Sequence, residues 1–507
     1  MSQDSNKRIF VNTIVLYGRM IVLMGISLFT TKIILRVLGV SDYGLQNAIA
    51  GVASMFAFVS RTLSAACSRF FSYELGRGDD KTLSHTFSLM LFIYLLGAVL
   101  IFIFLESIGL WYINNKLVFD DGRASAVSIF YQMTILTVLA GWFAVPYSSL
   151  IVSYENMTLY AILSIAEACL KLAATLCVMF MSSIDHLIAY GIFLFGLSLA
   201  HTGIYIVVSH VKYPVSRWNF KFDKKMFAEI LKFNGWKLFG SISWTVSDCF
   251  VNLLLNSFFG PIVNAARAIA MQVSNAMVHF TQNFLTASRP QIVKLWAAEE
   301  HDQFKVLLIR VSKIGYFLMF IVALPMYAEA ETVLNWWLDA VPDGAVCFLR
   351  IVLLTILVNS FSFPLIYAAQ ATGKIAKFTA VGSGVLLLVW PLSWICLSLG
   401  MGPSSVFWVA FSIACVALAL RFLIVMSLTD ISPWYFLNQV YVRMGFMSIV
   451  PILVVALILM FCTSGIIRFF AVCLLSFISS VLSFSCLGLD RNERMIIMQL
   501  LATKFIK

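Results

Sequence analysis

Long apolar runs alternate with short polar breaks along the whole chain, and nearly every run is long enough to cross a lipid bilayer. A crossing helix needs about 20 mostly apolar residues, because hydrocarbon holds no water to satisfy the backbone N–H and C=O groups. On that measure the pattern predicts six helices, at 11–38, 44–71, 85–113, 124–148, 156–181 and 186–211. A basic, aromatic linker follows at 212–229. Six more helices are predicted at 230–257, 262–290, 305–334, 346–371, 376–399 and 404–428, then a last pair at 440–462 and 465–489. The expected fold class is all-α, a polytopic integral membrane protein of about 14 transmembrane helices. Its expected parts are an N-terminal six-helix lobe (1–211), the linker (212–229), a C-terminal six-helix lobe (230–430) and the final pair with its tail (431–507). The alternating ten-residue segments of a membrane barrel are not seen in the sequence.

The two sets of six read as a repeat. Helix, hairpin and helix in the first set, with Gly39 then Ser68-Arg69, match helix, hairpin and helix in the second, with Gly260 then Ser288-Arg289, in length to within one residue. An even number of helices per set makes the repeat parallel, its two lobes related by an axis along the membrane normal. In the first hairpin, Gly39 and Gly44 let the backbone turn, and Ser41 or Asp42 is placed to cap the helix that begins near Tyr43.

Charge in the loops orients the chain. Lys7 and Arg8, Arg77 and Lys81, the linker cluster, Lys294 and Lys305, Lys374 and Lys377, and Arg491 and Arg494 all fall on one side. Cytoplasmic loops keep such an excess, so both termini are expected inside. Asp185, Glu329, Glu331, Asp339 and Asp343 fall on the opposite side, and Lys116, Arg123 and Arg468 are the basic exceptions there. The first run contains Arg19 and has no small-residue cleavage site, which predicts a retained helix rather than a signal peptide.

Composition agrees with this layout: 61% of the 507 residues are hydrophobic and only 12% are charged. The net charge of +11 would suggest nucleic acid in a soluble protein, but here it is spread over loops, and no nucleic-acid partner is expected. The ten cysteines have irregular spacing and no C-x-x-C pair, so they indicate neither a disulfide framework nor a metal site.

No catalytic motif is present. The sequence lacks a phosphate-binding G-x-x-x-x-G-K-[ST] loop, a G-x-S-x-G elbow and an H-E-x-x-H pair, so no cofactor and no enzyme activity are expected. Asp339 to Asp343 is the one acidic cluster of the outer loops and reads as a solvated hairpin. The candidate chemistry lies in ionisable residues within helices, which are costly in hydrocarbon and usually face a water-filled interior or a partner. Arg19, Arg61 and Lys237 fall in the inner half of their helices, with Lys32, Arg36 and Arg267 nearer the outer ends, making a basic track for an anionic cargo. Asp248 and Glu106 are deep acids that could couple transport to an ion. Glu167 and Lys171, at i and i+4, read as an intrahelical ion pair, and His201 as a packed histidine.

Leu38-Gly39-Val40-Ser41-Asp42-Tyr43-Gly44 follows a helix carrying Tyr17, Arg19, Lys32 and Arg36, and precedes one ending in Ser68-Arg69-Phe70. With the layout of the whole chain, this resembles the Wzx-type polysaccharide flippases of the multidrug/oligosaccharidyl-lipid/polysaccharide exporter superfamily. The resemblance implies a transporter that carries an undecaprenyl-diphosphate-linked oligosaccharide, such as an O-antigen repeat unit for lipopolysaccharide, to the outer leaflet of the bacterial cytoplasmic (inner) membrane by rocking of two lobes. It also implies other polysaccharide assembly proteins as partners, and a last helix pair that adds a lipid-facing wall. Two alternatives stay open on the sequence: a cation-coupled multidrug exporter of the same superfamily, and a membrane glycosyltransferase or polymerase of the same pathway.

Overall fold

The computed structural model describes residues 3–54, 56–181, 184–217, 223–373, 375–463 and 465–489; the side chains of 3–17 and 231–246 are among those outside the description. The helices are, in order, α1 (Gln3–Ser54), α2 (Ala57–Arg77), α3 (Asp80–Phe104), α4 (Leu110–Asn115), α5 (Ala124–Ser153), α6 (Met157–Met179), α7 (His186–Lys212), α8 (Lys224–Phe259) and α9 (Pro261–Ala297). They continue as α10 (His301–Ala328), α11 (Ala330–Trp337), α12 (Ala345–Ala371), α13 (Ile375–Leu387), α14 (Val389–Ser398), α15 (Ser404–Thr429), α16 (Pro433–Phe436), α17 (Arg443–Phe461) and α18 (Ile466–Ser483). No strand is present among the described residues.

Among the described residues eleven helices are long and apolar enough to cross a membrane. The expected seventh and eighth spans are helical, in α8 and α9, but lie outside those eleven, and the second enters them only by its first part, in Gly18–Ala53, so the structure gives a polytopic helical protein without establishing the expected count of fourteen. Several predicted spans are broken. The run at 44–71 is divided where α1 ends at Ser54 and α2 begins at Ala57, the run at 305–334 divides at Glu329, and the run at 376–399 divides at Leu388.

Gly39 interrupts α1 with φ 76° and ψ 172°. Gly260, between α8 and α9, has φ 77° and ψ −170°. Essentially only glycine enters this part of backbone space, so the two positions matched in the repeat share one rare turn.

The chain divides into two compact units, 1–265 and 266–507. In the first, α5 is the centre on which α2, α3 and α7 pack. Buried side chains there bond across helices to backbone carbonyls: Trp142 Nε1 donates to Tyr94 O at 2.8 Å, and Thr202 Oγ1 to Ala140 O at 2.9 Å. Such bonds hold membrane helices together where lipid leaves no hydrophobic drive between them. The segment of α1 after Gly39 packs on the end of α8, with Asn252 Nδ2 donating to Asn47 O at 3.0 Å and Cys249 Sγ to Gly51 O at 3.2 Å. Tyr112 Oη donates to Leu253 O at 3.1 Å on the same helix.

In the second unit α10, α12 and α15 form the core, and α17 and α18 dock on α10 through Met444, Met447 and Phe484 around Phe320. Leu453, Leu457, Phe470 and Leu474 of that pair are exposed, an apolar outer face of the kind that meets lipid.

Two of the three basic exceptions to the loop-charge pattern, Arg123 and Arg468, are paired. Arg123 reaches Asp42 of the first hairpin and Asp185, the cap of α7. Asp42 therefore engages a guanidinium instead of capping the helix after Gly39. Burial pushes the Asp185 carboxyl up, but the Arg123 hydrogen bond and charge, with the amides of Ile188 and Leu187, outweigh it and hold the group below the usual carboxylate range. Arg468, at the start of α18, donates from Nε to Glu329 Oε1 at 2.7 Å and from Nη2 to Oε2 at 3.0 Å, while Thr332 Oγ1 donates to the same Oε2 at 2.5 Å. Neutralised in this way, neither arginine is a free positive charge weighing against the loop bias.

Candidate functional site: a polar face within the first unit

Tyr160, Ser164, Glu167 and Lys171 follow one another at i, i+4, i+7 and i+11 on α6. That spacing puts all four on one face of a helix, over about 16 Å of its length, among residues that are otherwise largely apolar. Two helices supply partners to this face. From α1, Arg19 donates Nε to Ser164 Oγ at 2.5 Å and lays its guanidinium 4.6 Å from the centre of the Tyr160 ring. From α7, His201 Nε2 lies 2.9 Å from Glu167 Oε2, and its ring meets Tyr205 edge-on at 4.6 Å. Asn156 begins α6 by accepting the amide of Leu159, which fixes where the face starts.

Arg19 is half-buried, and among the described residues no carboxylate pairs with it. A guanidinium has five N–H donors in a planar fork, so one bond to Ser164 leaves Nη1 and Nη2 with donors to offer an anion. The Glu167 carboxylate lies against His201 on α7, and its charge also acts on Lys171, the i, i+4 neighbour on α6 expected from the sequence. Lys171 also lines a cavity of about 530 Å³ whose wall is mostly apolar, with Phe56, Phe130 and Leu194, and carries Gln46 and Ser60 as polar members. A mainly apolar space with a few polar groups is the usual make-up of a small-molecule site.

The other predicted residues do not gather on this face. Lys32 and Arg36 lie on α1 about 20–25 Å beyond Arg19, toward Gly39; Lys32 is partly buried and Arg36 exposed. The side chains of Arg61 on α2 and Lys237 on α8 lie outside the described residues. Arg267 is buried on α9, in the second unit. Glu106 sits in a π-helical turn, Leu105–Gly109, with Gln132 Nε2 3.4 Å from its Oε2. Asp248 is exposed on α8. Sequence reasoning found Arg19 but missed the face it joins, although the spacing of Tyr160, Ser164, Glu167 and Lys171 was there to be read. It also passed over Arg421 of α15, whose guanidinium lies 6.0 Å from the Phe378 ring centre.

No protein-family profile matches the chain, and no curated protein does. Solved structures do match. Lipid II flippase MurJ in an inward closed conformation aligns with a TM-score of 0.69 and 16% identity over 94% of this chain and 98% of that one. An inward-facing MATE family multidrug resistance transporter of the MOP superfamily aligns at 0.68 and 13%, over 82% of this chain and 99% of that one. The chain shares its fold with these solved structures. A third such structure, the MATE multidrug transporter DinF-BH, aligns at 0.60 and 14% over 84% of this chain and 97% of that one.

Proposed function

We propose that the protein is a flippase that moves an undecaprenyl-diphosphate-linked oligosaccharide, a surface-polysaccharide or O-antigen repeat unit, from the inner to the outer leaflet of the bacterial cytoplasmic membrane. Both termini are on the cytoplasmic side in this reading. The observation that carries it is the extent of the likeness. The MATE exporters are spanned almost whole, at 97–99%, by 82–84% of this chain, whereas MurJ takes up 94% of it. The chain thus exceeds these two drug exporters by more than the length of two membrane helices, and matches nearly end to end a protein named as a lipid II flippase.

The face on α6 supports an anionic headgroup. Arg19, steadied by Ser164 and Tyr160, receives the diphosphate, since a guanidinium fork suits phosphate oxygens better than a point charge does. Arg61 and Lys237 are proposed to join it from the inner half of their helices, with Lys32, Arg36 and Arg267 serving the cargo further out. The sugar needs polar and aromatic surroundings of the sort Trp142, Gln46 and Lys171 provide, and the prenyl chain stays in lipid. No bond is made or broken in this scheme, so the protein acts as a transporter and not an enzyme; Asp248 and Glu106 are where an ion gradient would couple.

Deleting the gene in its own host tests the reading. The expected result is loss of the surface polysaccharide with accumulation of the diphosphate-linked precursor in the inner leaflet. Normal polysaccharide, together with new sensitivity to cationic drugs, would favour a drug exporter instead.

A further inference from the structure

At the end of the second unit where α10 stops and α12 and α15 start, a cavity of about 530 Å³ opens beside the Asp339–Asp343 hairpin. The loop charges assign this end to the outside. Its volume falls within the range of about 300–1,000 Å³ common to small-molecule sites. Two aromatic rings stand open in its wall, Tyr327 at 39% and Trp408 at 48% exposure. Around them are Glu331 and Asn335 of α11, Asp343 of the hairpin and Arg350 of α12.

The frame that holds these groups is fixed. Ala330 and Leu334 are fully buried, so the i, i+4 pair Glu331 and Asn335 is turned toward the opening. Glu329, at the junction of α10 and α11, is clamped by Arg468 and Thr332. Gly344 turns with φ 85° and leads into α12, whose Phe348 stacks on Phe407 of α15 at 4.3 Å. Arg350 Nε donates to Tyr327 O at 3.3 Å, which sets the guanidinium beside the ring.

We propose that this cavity is a saccharide-binding subsite for a neutral or amino sugar, a site separate from the α6 face. A pyranose has one face of polarised C–H bonds, which the electron-rich face of Trp408 or Tyr327 attracts. Its edge carries adjacent hydroxyls, and an ionised carboxylate accepts from two such O–H groups at once, as Glu331 and Asp343 are placed to do. Asn335 and Arg350 donate to ring or hydroxyl oxygens. Two carboxylates against one guanidinium leave the lining net negative, which disfavours a uronic acid and favours a free amine. An isolated interfacial tryptophan would need none of this polar company. The assignment rests on the glycan-bearing cargo proposed above, and gives the delivered sugar a place to be held on the outer side.

Saturation-transfer NMR on the purified full-length protein tests it, with the methyl glycosides of a neutral hexose, an N-acetylhexosamine, a hexosamine and a hexuronate as probes. At least one of the first three is expected to bind saturably through its C–H face, more tightly than the hexuronate. Trp408→Ala and Asp343→Asn should each weaken that binding about tenfold or more, while Trp408→Phe keeps part of it. Asp343 and Glu331 are exposed, so D343N and the double variant with E331Q carry the test if Trp408→Ala fails to accumulate. No saturable binding of any probe, binding untouched by the double variant, or preference for the hexuronate would overturn the proposal. Flipping of lipid-linked oligosaccharide with no sugar binding removes this subsite alone; sugar binding with no flipping removes the flippase reading and leaves the site.

Discussion

The Cβ that Gly44 lacks would fall 1.8 Å from the carbonyl oxygen of Pro261. Pro261 directly follows Gly260, so the two glycine turns that head corresponding parts of the chain meet within the first unit. The short run from Leu38 to Gly44 thereby acquires a physical account. Gly39 supplies a turn only glycine adopts, Asp42 engages Arg123, and Gly44 admits another backbone.

Gly39→Ala and Gly44→Ala should therefore behave differently. At Gly39 nothing lies within 4 Å of an added Cβ, so the cost is the backbone strain alone, about 1–3 kcal/mol. At Gly44 a backbone carbonyl stands in the way, and the expected outcome is a larger fall in melting temperature and in membrane abundance. Melting curves of the purified variants and their yield from membranes measure both, and a Gly44→Ala protein as stable as the parent would contradict the contact.

Removing Arg468 should harm the protein more than removing its whole pair. Glu329 has no exposed side-chain surface, so Arg468→Ala leaves a buried carboxylate with only Thr332 as partner. Breaking such a pair from one side costs about 3–5 kcal/mol, whereas replacing both partners by apolar residues is often close to neutral. The double variant Arg468→Met, Glu329→Leu is expected to recover most of the melting temperature lost in Arg468→Ala.

Acid should weaken the hold of Asp185 on Arg123; the Asp42 carboxyl on the same guanidinium is pushed up by burial and takes its proton earlier. Asp185 is held below the usual carboxylate range, so its contribution is fully present above the ordinary pKa of about 3.9 and is lost as pH falls through its lower folded value. In a background with Asp42→Asn, which removes the second carboxylate, the stability difference between Asp185 and Asp185→Asn should shrink as pH falls below the ordinary value. Melting temperatures from pH 7 downward provide the check.

Arg19 separates a cargo role from a packing role. Arg19→Ala is expected to abolish export with near-normal membrane abundance, and Arg19→Lys to keep part of the activity, since an ammonium retains charge but not the fork. Loss of abundance in both variants would make the contacts to Ser164 and Tyr160 structural.

Much of the fold could be read from the chain because hydrophobic length is decisive in a membrane, where each helix must satisfy its own backbone. The shared turn at Gly39 and Gly260 was legible for the same reason, since both glycines stand at polar breaks between long runs. The division near Phe56 was not, as no proline or polar pair marks it. Glu167 shows the limit at the site. Its interaction with Lys171, one turn away, was legible from local spacing, but the approach of His201 from the next helix was not, since helix-to-helix contact leaves no trace there. Arg123 and Arg468 looked like exceptions to the charge rule for the same reason, because the carboxylates that neutralise them are remote in sequence.

The most direct measurement follows the headgroup of the proposed cargo across a bilayer. Proteoliposomes carrying a fluorescent undecaprenyl-diphosphate-linked oligosaccharide in both leaflets are treated with a reductant that cannot cross the membrane. A flippase makes nearly all the label accessible, while protein-free vesicles protect the inner half, and Arg19→Ala should resemble the protein-free control. Half the label still protected in vesicles that hold the folded parent protein, with and without proton or sodium gradients, would contradict the account.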